Sequence, residues 1–341
     1  MDWGILMNIY DVSEKAGVSI ATVSRVINGN SNVSEKTRQR VLLVMEELGY
    51  TPNIFARGLG LNTMKTIGIM CTDSSDIYLA NAVYFLEREL RFNSYDSILC
   101  CTGTSLENKK QYLNLLLSKR VDGIILVGSK FLSSNPETSH NDYILAAAKQ
   151  LPIMLVNGQL SGDNIFCTIC DDESAVYSVT DKLIKSGRQN IVYLYTSTSY
   201  SGKNKLSGYK KALQDNNINV NPAYFHMCTK SIARAKEYLN ELYLNNITFD
   251  AVVTSDDSLA VGAVKYAFEH NISIPTDLNI VGYNNSVLAN CTEPELTSID
   301  SKVESLCITA VKSLMKVFNG GKVPERTIIS ADLIKRNTTN F

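Results

Sequence analysis

Apolar residues recur in two different rhythms along the chain, and each rhythm predicts a different kind of structure. In residues 8–29, NIYDVSEKAGVSIATVSRVING, valines and alanines recur every three or four positions around a short A-G-V-S stretch. This spacing predicts two short amphipathic helices joined by a tight turn. Gly17 supplies the freedom that the turn requires, and Ser19 stands at the N-cap of the second helix. Such a helix-turn-helix places its second helix in the DNA major groove.

The same segment separates a small core from an open polar face. The predicted core consists of Val12, Ala16, Val18, Val23 and Val26. The open face of the second helix carries Ile20, Ala21, Ser24, Arg25 and Asn28. A helical hairpin buried in a larger domain is the alternative, but exposed serine, arginine and asparagine at this spacing suit a groove better than a core.

The first module continues for about thirty residues beyond the hairpin. A third helix is predicted from about Glu35 to Leu48, and Gly49 follows it as a C′ glycine would. Thr51-Pro52-Asn53 then breaks the pattern, and a short stretch, residues 53–59, leads into a polar joint at 60–65.

From Lys65 onward, apolar strands alternate with amphipathic helices. Strands are predicted at 66–71, 96–102, 122–127, 152–157, 167–170, 190–196, 251–255 and 279–283. Helices are predicted near 78–93, 105–119, 173–186, 201–216, 231–245, 257–269 and 302–319. Near-continuous apolar strands separated by helices indicate parallel sheets covered on both faces. The number of units favours two similar halves that split near residue 160, with a strand-like stretch at the end.

Composition and motifs then narrow the function. The 341 residues are 45% hydrophobic and 20% charged, the net charge is −1, and residues 8–61 carry only +1, so the DNA hypothesis rests on the motif. The eight cysteines suit reduced cytosolic thiols. Cys167 and Cys170 form a CxxC, but in a strand they point to opposite faces, so no metal or cofactor is expected. Nucleophile, phosphate-loop, metal-protease and dinucleotide motifs are absent, which favours binding over catalysis. No signal peptide or membrane span is recognised.

Taken in order, these features resemble the lactose-repressor (LacI/GalR) family of bacterial transcription regulators. The resemblance is most specific in DVSEKAGVSIATVSRVINGNSNVSEKTRQRV and YTPNIFARGL. It continues through TIGIM, KRVDGIILVG, LSGYKKAL, DAVVTSDDSLAVGAV, NIVGYNN, ELTSI and LIKRNTT. It implies an α/β protein with a helix-turn-helix headpiece and a two-lobed core like that of periplasmic binding proteins, made of doubly wound parallel sheets.

The implied domains follow from this resemblance. Residues 7–52 form the headpiece, and residues 53–64 form a hinge helix and linker. The N-terminal lobe comprises 65–159 and 292–321, and the C-terminal lobe comprises 160–291 and 322–341. Gly58 and Gly60 flank Leu59, and glycine costs about 1 kcal/mol relative to alanine in a helix, so the hinge helix is expected to form less readily than in most relatives.

The resemblance also implies which residues contact DNA. Ile20, Ala21 and Arg25 occupy base-reading positions, with the arginine suited to guanine. Leu59 corresponds to the wedge that enters the minor groove. The remaining implied DNA-binding residues are Asn8, Tyr10, Ser19, Ser24, Asn28, Asn32, Asn53 and Arg57.

For the effector, the resemblance implies a site in the interlobe cleft. Its positions are Thr72, Asp73, Tyr78, Asn157, Lys205, Asp256, Asn284 and Ser301. Lys205 stands where arginine is usual, Asn157 and Asn284 where aspartate is common, and DSSDIY replaces the usual D-x-x-N-P-F. A lysine lacks the two-pronged contact of a guanidinium, so the site suits a sugar or an anionic derivative.

The implied protein is a cytoplasmic homodimer that binds an inverted-repeat operator, with an effector that changes operator affinity by rotating the N-terminal lobes. It is taken as a repressor of a metabolic, carbohydrate-related operon, and not as an enzyme. A soluble sugar-binding receptor with a vestigial headpiece is the alternative from another class.

Overall fold

A computed structural model describes residues 7–29, 31–51, 63–132 and 140–341 of the chain. These residues form two compact units. The first contains the residues up to 66 together with 119–122, and the second contains 67–118 and 123–341. We call the helical part of the first unit, residues 7–51, the headpiece, and the second unit the core.

Three helices make up the headpiece, and they begin where the sequence predicts. They are α1 (Ile9–Ala16), α2 (Ile20–Ile27) and α3 (Glu35–Glu47). Gly17 ends α1 with a φ of 60°, a left-handed conformation that glycine adopts without strain. The Ser19 hydroxyl accepts a hydrogen bond from the Thr22 amide at 3.2 Å, which caps α2. Val12, Val23 and Val41 are fully buried at the centre of the bundle.

The first lobe of the core is built on a six-stranded sheet with the order β11-β5-β4-β3-β1-β2. Its strands are β1 (Thr66–Cys71), β2 (Asp96–Cys101), β3 (Gly123–Val127), β4 (Ile153–Val156), β5 (Ile165–Cys170) and β11 (Arg326–Ile329). The helices nearby in the chain are α4 (Ile77–Phe92), α5 (Leu106–Ser118), α6 (Asp142–Ala148) and α11 (Val303–Phe318). Parallel pairing joins β1, β3, β4, β5 and β11 in that order.

The second lobe is built on another six-stranded sheet, with the order β12-β10-β9-β8-β6-β7. Its strands are β6 (Ile191–Tyr195), β7 (Phe225–Met227), β8 (Ala251–Thr254), β9 (Asn279–Tyr283), β10 (Thr297–Asp300) and β12 (Asp332–Ile334). Its helices are α7 (Asp172–Lys185), α8 (Tyr200–Asp215), α9 (Ile232–Leu244) and α10 (Asp257–Glu269). The pairing is parallel except for β12, which runs antiparallel to β10. The predicted α/β class is confirmed.

The predicted boundaries between the two lobes are wrong. The split near residue 160 would put β5 in the second lobe, but β5 pairs with β4 in the first sheet. The assignment of 322–341 likewise fails for β11, which pairs with β5, and that of 292–321 fails for β10, which pairs with β9. The chain therefore crosses between the lobes after β5, after β10 and after β11. The sequence of an apolar strand does not show which sheet the strand joins, because that depends on the strands with which it forms hydrogen bonds.

The single strand-like stretch predicted at the end contains two strands, β11 and β12. Three elements are absent from the predicted pattern: α6, which has seven residues, and β7 and β10, which have three and four. Elements of this length give too few periods to detect. None of the helices in the described ranges combines the length and apolar character needed to cross a membrane.

Candidate functional site in the headpiece and the interlobe cleft

The second helix of the headpiece presents one buried face and one open face. Val23 and Val26 are buried, whereas Ala21 and Arg25 are exposed and Ile20 is 39% exposed. This division follows from the helical repeat, since positions three and four apart share a face. Three of the predicted contact residues of α2, Ile20, Ala21 and Arg25, therefore lie on the open side of a folded helix, whereas Ser24 is half-buried.

Arg25 on this face is in no ion pair within the part of the chain that the structure describes. The headpiece ion pairs in the described residues are Lys15–Glu47 at 3.0 Å and Arg38–Glu35 at 3.7 Å, and neither involves Arg25. A guanidinium that is left unpaired at a helix surface can make the bidentate contact that reads guanine.

The other predicted DNA-contact residues of the headpiece lie before, within and after α2 in the sequence. Asn8 caps α1 by accepting hydrogen bonds from the amides of Tyr10 and Asp11 at 2.8 and 3.3 Å. Asn28 and Ser24 are half-buried, and the Asn28 amide donates to the Ser24 hydroxyl at 3.4 Å. Exposed side chains are found at Asn8, Tyr10, Ser19 and Asn32. The predicted positions Asn53, Arg57 and Leu59 lie outside the described residues.

A cleft of about 670 Å³, partly open to solvent, lies between the two lobes of the core. Its walls come from the carboxyl ends of the strands, where open α/β sheets bind ligands. Six of the eight predicted effector residues line it: Thr72, Tyr78, Asn157, Lys205, Asp256 and Asn284. The lining also includes Asp76, Leu79, Gly128, Ser129, Lys130, Thr196, Ser197, Ser199, Ser201, Gly202, Lys230 and Ser255.

The other two predicted residues, Asp73 and Ser301, are not part of this lining. The Asp73 side chain is turned back on its own loop, where Oδ1 accepts hydrogen bonds from the amide and hydroxyl of Ser75 at 2.9 and 2.7 Å. Hydrogen bonds from Ser75 lower the pKa of Asp73. Ser301 is buried behind Asn284 and donates to its Oδ1 at 3.3 Å, so it supports a lining residue.

Asn157 and Asn284 have a backbone reason to be asparagine. Their φ angles are 57° and 92°, in the region that asparagine adopts more readily than most side chains do. Each side chain is also held in place: Asn157 Oδ1 accepts from the Cys170 amide at 3.4 Å, and Asn284 Nδ2 donates to Asp256 Oδ2 at 3.1 Å. Both therefore offer oriented, uncharged amide groups to the cleft.

An ion bridge crosses the cleft, and its central residue, Lys230, was missed by the sequence prediction. The Lys230 ammonium lies 3.0 Å from Asp76 Oδ2 of the first lobe and 2.7 Å from Asp256 Oδ2 of the second. The remaining oxygen of each carboxylate caps a helix. Asp76 Oδ1 accepts from the Tyr78 amide at 3.0 Å, and Asp256 Oδ1 accepts from the Ser258 amide at 3.0 Å. Both carboxylates are thus fully engaged inside the protein.

The pKa of Lys230 reflects this environment. Burial by itself lowers the pKa of the ammonium, but the carboxylates of Asp256 and Asp76 outweigh burial, and the net shift is upward. Lys230 is therefore held in its charged form. No motif in the surrounding sequence, CTKS, marks it, and only the approach of the two lobes reveals its partners.

Lys205 is also held by its own lobe. Its ammonium lies 3.5 Å from the ring centre of Tyr283, donates to the Ser255 carbonyl oxygen at 3.3 Å, and is 4.0 Å from Asp172 Oδ1. The Tyr283 hydroxyl donates to the same Asp172 oxygen. The lysine predicted to face the effector is therefore already balanced by a buried carboxylate.

A group of hydroxyls surrounds the start of α8. The Ser129 hydroxyl of the first lobe donates to the Ser199 hydroxyl of the second at 2.9 Å, which makes another contact between the lobes. Ser199 Oγ also lies 2.9 Å from Ser197 Oγ and accepts from the Gly202 amide at 3.5 Å. Several oxygens and amides therefore meet at one helix end.

The CxxC cysteines have separate surroundings. The Cys167 thiol donates to the Leu160 carbonyl oxygen at 3.6 Å, while Cys170 Sγ lies 3.7 Å from the Tyr283 hydroxyl. Burial raises the pKa of Cys170 to about 12, which keeps it a thiol. These contacts give the pair no shared site.

Comparison with known proteins assigns both parts of the chain to one family. Residues 8–53 match the family described as bacterial regulatory proteins, lacI family, and residues 64–337 match periplasmic binding proteins and the sugar-binding domain of the LacI family. An HTH-type transcriptional regulator of Lachnoclostridium phytofermentans is 60% identical, over 98% of this chain and 100% of the relative.

The chain is also similar to two regulators that are known by name. Catabolite control protein A of Priestia megaterium is 31% identical over 92% of this chain and 93% of its own. A crystal structure of the Lac repressor dimer, bound to operator and the anti-inducer ONPF, is similar with a TM-score of 0.88 and 26% identity, covering 98% of this chain and 99% of that one.

Proposed function

Since the chain belongs to the LacI family of bacterial regulatory proteins, we propose that it reads one half of a palindromic operator with α2 and takes a small polar effector in its interlobe cleft. It is a DNA-binding transcriptional regulator and not an enzyme. The observation that carries the operator proposal is the open face of the capped and folded helix α2, where Arg25 forms no ion pair with any described residue.

On this face, some side chains can form hydrogen bonds with bases, and others can make only apolar contacts. Arg25 is the one charged side chain of α2, so most direct hydrogen-bonded base readout falls on it. Ile20 and Ala21 offer only apolar contact, which suits thymine methyl groups. We expect Asn8, Ser19 and Asn32 to contact the phosphate backbone and to set the register of the protein on the DNA. Asn53, Arg57 and Leu59 complete the proposed contacts by the family resemblance.

A palindromic operator calls for a two-fold symmetric protein, and we expect a homodimer. The core exposes large apolar side chains that a second copy would cover. In the first lobe, Tyr84 is 58% and Phe92 is 84% exposed on α4. In the second, Leu244 is 77% and Phe268 is 86% exposed. The similar Lac repressor structure is a dimer bound to operator, which supports this arrangement.

For the effector, we propose a sugar or a sugar derivative that shifts the arrangement of the two lobes. The cleft is lined by amides, hydroxyls and charged groups from both lobes, so a ligand there touches both at once. A ligand changes operator affinity only through a difference in its affinity for the two arrangements. We expect a repressor of a carbohydrate-related operon that works in the cytoplasm, where its operator is found.

Selection of DNA from a random pool tests the operator proposal. The full chain should enrich an inverted repeat, and Arg25→Ala should weaken binding to it by about 1–3 kcal/mol, which is a factor of roughly 5 to 150. Arg91→Ala is the matched control, because Arg91 lies on α4 of the core and pairs with Glu87 at 3.2 Å. Undiminished operator binding by Arg25→Ala would remove its base-reading role. Failure to enrich any sequence would favour the receptor with a vestigial headpiece.

A further inference from the structure

We infer that Cys71 and Cys101 form a redox-reactive thiol pair, which small disulfide compounds of the glutathione type convert to a disulfide bond. The pair lies in the first lobe, where β1 ends beside the cleft. This inference concerns a modification of the protein itself and goes beyond the proposed regulatory function. It stands or falls independently of the operator and the effector.

The first support is the distance between the two sulfur atoms. Cys71 Sγ is 3.7 Å from Cys101 Sγ, which is close enough for one thiol to donate a weak hydrogen bond to the other. A disulfide bond places its sulfur atoms about 2.0 Å apart, so the pair closes with a shift of less than about 2 Å. Side-chain rotation supplies a movement of this size.

The second support is the pairing of two neighbouring strands. β1 and β2 are adjacent at one edge of the first sheet, and Cys71 and Cys101 are their last residues. The Thr102 amide donates to the Cys71 carbonyl oxygen at 2.9 Å, and the Gly103 amide donates to the Thr72 carbonyl oxygen at 3.1 Å. Adjacent strands lie about 4.8 Å apart, within the roughly 4.4–6.8 Å between Cα atoms that disulfides join. The backbone is therefore already placed for the bond.

The third support is the difference in exposure between the two thiols, which sets the order of the reaction. Cys101 is exposed on the edge strand, whereas Cys71 is fully buried. Burial, together with the neighbouring Cys101 thiol, raises the pKa of Cys71 to about 12. Because the thiolate is the nucleophile in thiol–disulfide exchange, Cys71 does not start the reaction at neutral pH. Cys101 therefore meets the oxidant first, and Cys71 reacts second.

The reaction consists of two exchange steps. The Cys101 thiolate attacks one sulfur of the oxidant, RSSR, which forms the mixed disulfide Cys101–S–SR and releases RS⁻. RS⁻ takes up the proton that the Cys101 thiol gave to the solvent. Cys71 Sγ then attacks the Cys101 sulfur, and the departing thiolate takes up the Cys71 proton. The two cysteines are thus oxidised to one disulfide while RSSR is reduced to two RSH, and a dithiol reductant reverses both steps.

The thiol pair adjoins a segment that carries residues of the cleft. Thr72 follows Cys71 directly and lines the cleft. Asp76 lies four residues further along, where its carboxylate is 3.0 Å from the Lys230 ammonium. A hydrogen bond from the Asp73 backbone to the Cys71 sulfur lowers the pKa of Cys71, against the larger effect of burial. A disulfide bond at Cys71 therefore restrains the first residues of this segment.

Oxidation of the full chain with oxidised glutathione tests the inference. Digestion without reductant, followed by mass spectrometry, should detect a peptide in which Cys71 and Cys101 are cross-linked, and dithiothreitol should remove it. Cys71→Ser should abolish this peptide and leave glutathione attached to Cys101, whereas Cys101→Ser should abolish both products. Cys291→Ser is the matched control, because Cys291 is the other exposed cysteine, and it should leave the cross-link unchanged.

Several products of this experiment would overturn the inference. One is a wild-type chain that keeps glutathione on Cys101 as stably as Cys71→Ser does, because Cys71 then fails to displace it. Another is a disulfide from Cys101 to Cys100 or to Cys101 of a second chain in place of Cys71. A wild-type chain that stays fully reduced in excess oxidised glutathione would contradict the reactivity of the pair.

Hydrogen exchange measures the effect of the bond on the cleft segment. The amides of Thr102 and Gly103 are bonded to the carbonyl oxygens of Cys71 and Thr72. A disulfide that holds these strand ends together should slow the exchange of both amides at least about tenfold. Cys71→Ser treated with oxidised glutathione is the control and should show no slowing. Equal exchange in the oxidised and reduced wild-type chain would overturn the expected restraint.

Discussion

The headpiece and the interlobe cleft use charge in opposite ways. On the headpiece, Arg25 is exposed and forms no ion pair among the residues described, so its charge is available to a partner. In the cleft, Lys230 and Lys205 are paired with carboxylates of the protein itself. The difference shows that DNA can meet an open surface, whereas a ligand in the cleft must fit among charges that already satisfy one another.

The two regions also differ in what holds them together. Six small buried residues, five valines and one alanine, form the centre of the headpiece: Val12, Ala16, Val23, Val26, Val41 and Val44. The cleft is held by polar contacts between two large lobes that each have their own apolar core. Because a small core buries little apolar surface, we expect the headpiece to have a lower free energy of unfolding than the core.

The largest expected effect comes from charging the headpiece core. Val23→Asp places a carboxylate at a fully buried position, which costs several kcal/mol without a partner. We expect the headpiece to unfold and operator binding to be lost completely, while the core keeps its melting transition and its ligand response. Calorimetry and a gel-shift assay measure the two effects.

Leu43→Asp is the matched control for this change, because Leu43 is 59% exposed on α3. It should leave the headpiece folded, as judged by its helical circular dichroism. A headpiece that tolerates Val23→Asp as well as it tolerates Leu43→Asp would contradict the assignment of its core.

A smaller effect is expected when the ion bridge of the cleft is broken. Lys230→Gln leaves Asp76 and Asp256 without their shared cation, and we expect a loss of about 1–2 kcal/mol in core stability, since the bridge is only partly buried. Denaturant melts of the core measure this loss, and operator binding without effector should report any change in the balance between lobe arrangements.

The double change Asp76→Asn with Lys230→Gln should recover part of that stability. Asparagine keeps the oxygen that caps α4 while removing one of the two negative charges. Equal destabilisation by the single and double changes would mean that Lys230 acts through packing and not through its charge.

The smallest effect is expected at the cap of α2. Ser19→Ala removes the oxygen that accepts from the Thr22 amide and should cost the headpiece about 1 kcal/mol. Thermal melts of the headpiece transition measure it. Ser19→Asn serves as the control because it can restore the cap, and stability unchanged by Ser19→Ala would show that the cap contributes little.

Much of the headpiece could be predicted from sequence because its interactions are local. Gly17 turns the chain, Ser19 caps the helix three residues before its bonded amide, and Val23 and Val26 share a face by the helical repeat. Each of these relations spans only a few positions. Most strands of the core were predicted for the same reason, since an apolar run identifies a buried strand wherever it lies, but the short strands β7 and β10 were not.

What only the tertiary structure decided depends on residues that are distant in the chain. β11 belongs to the first sheet because it pairs with β5, more than 150 residues earlier. Lys230 becomes a cleft residue because Asp76, 154 positions away, meets it across the lobes. A sequence determines which groups are charged and which runs are apolar. The packing of the lobes determines which charges neutralise one another, because electrostatic pairing acts through space and not along the chain.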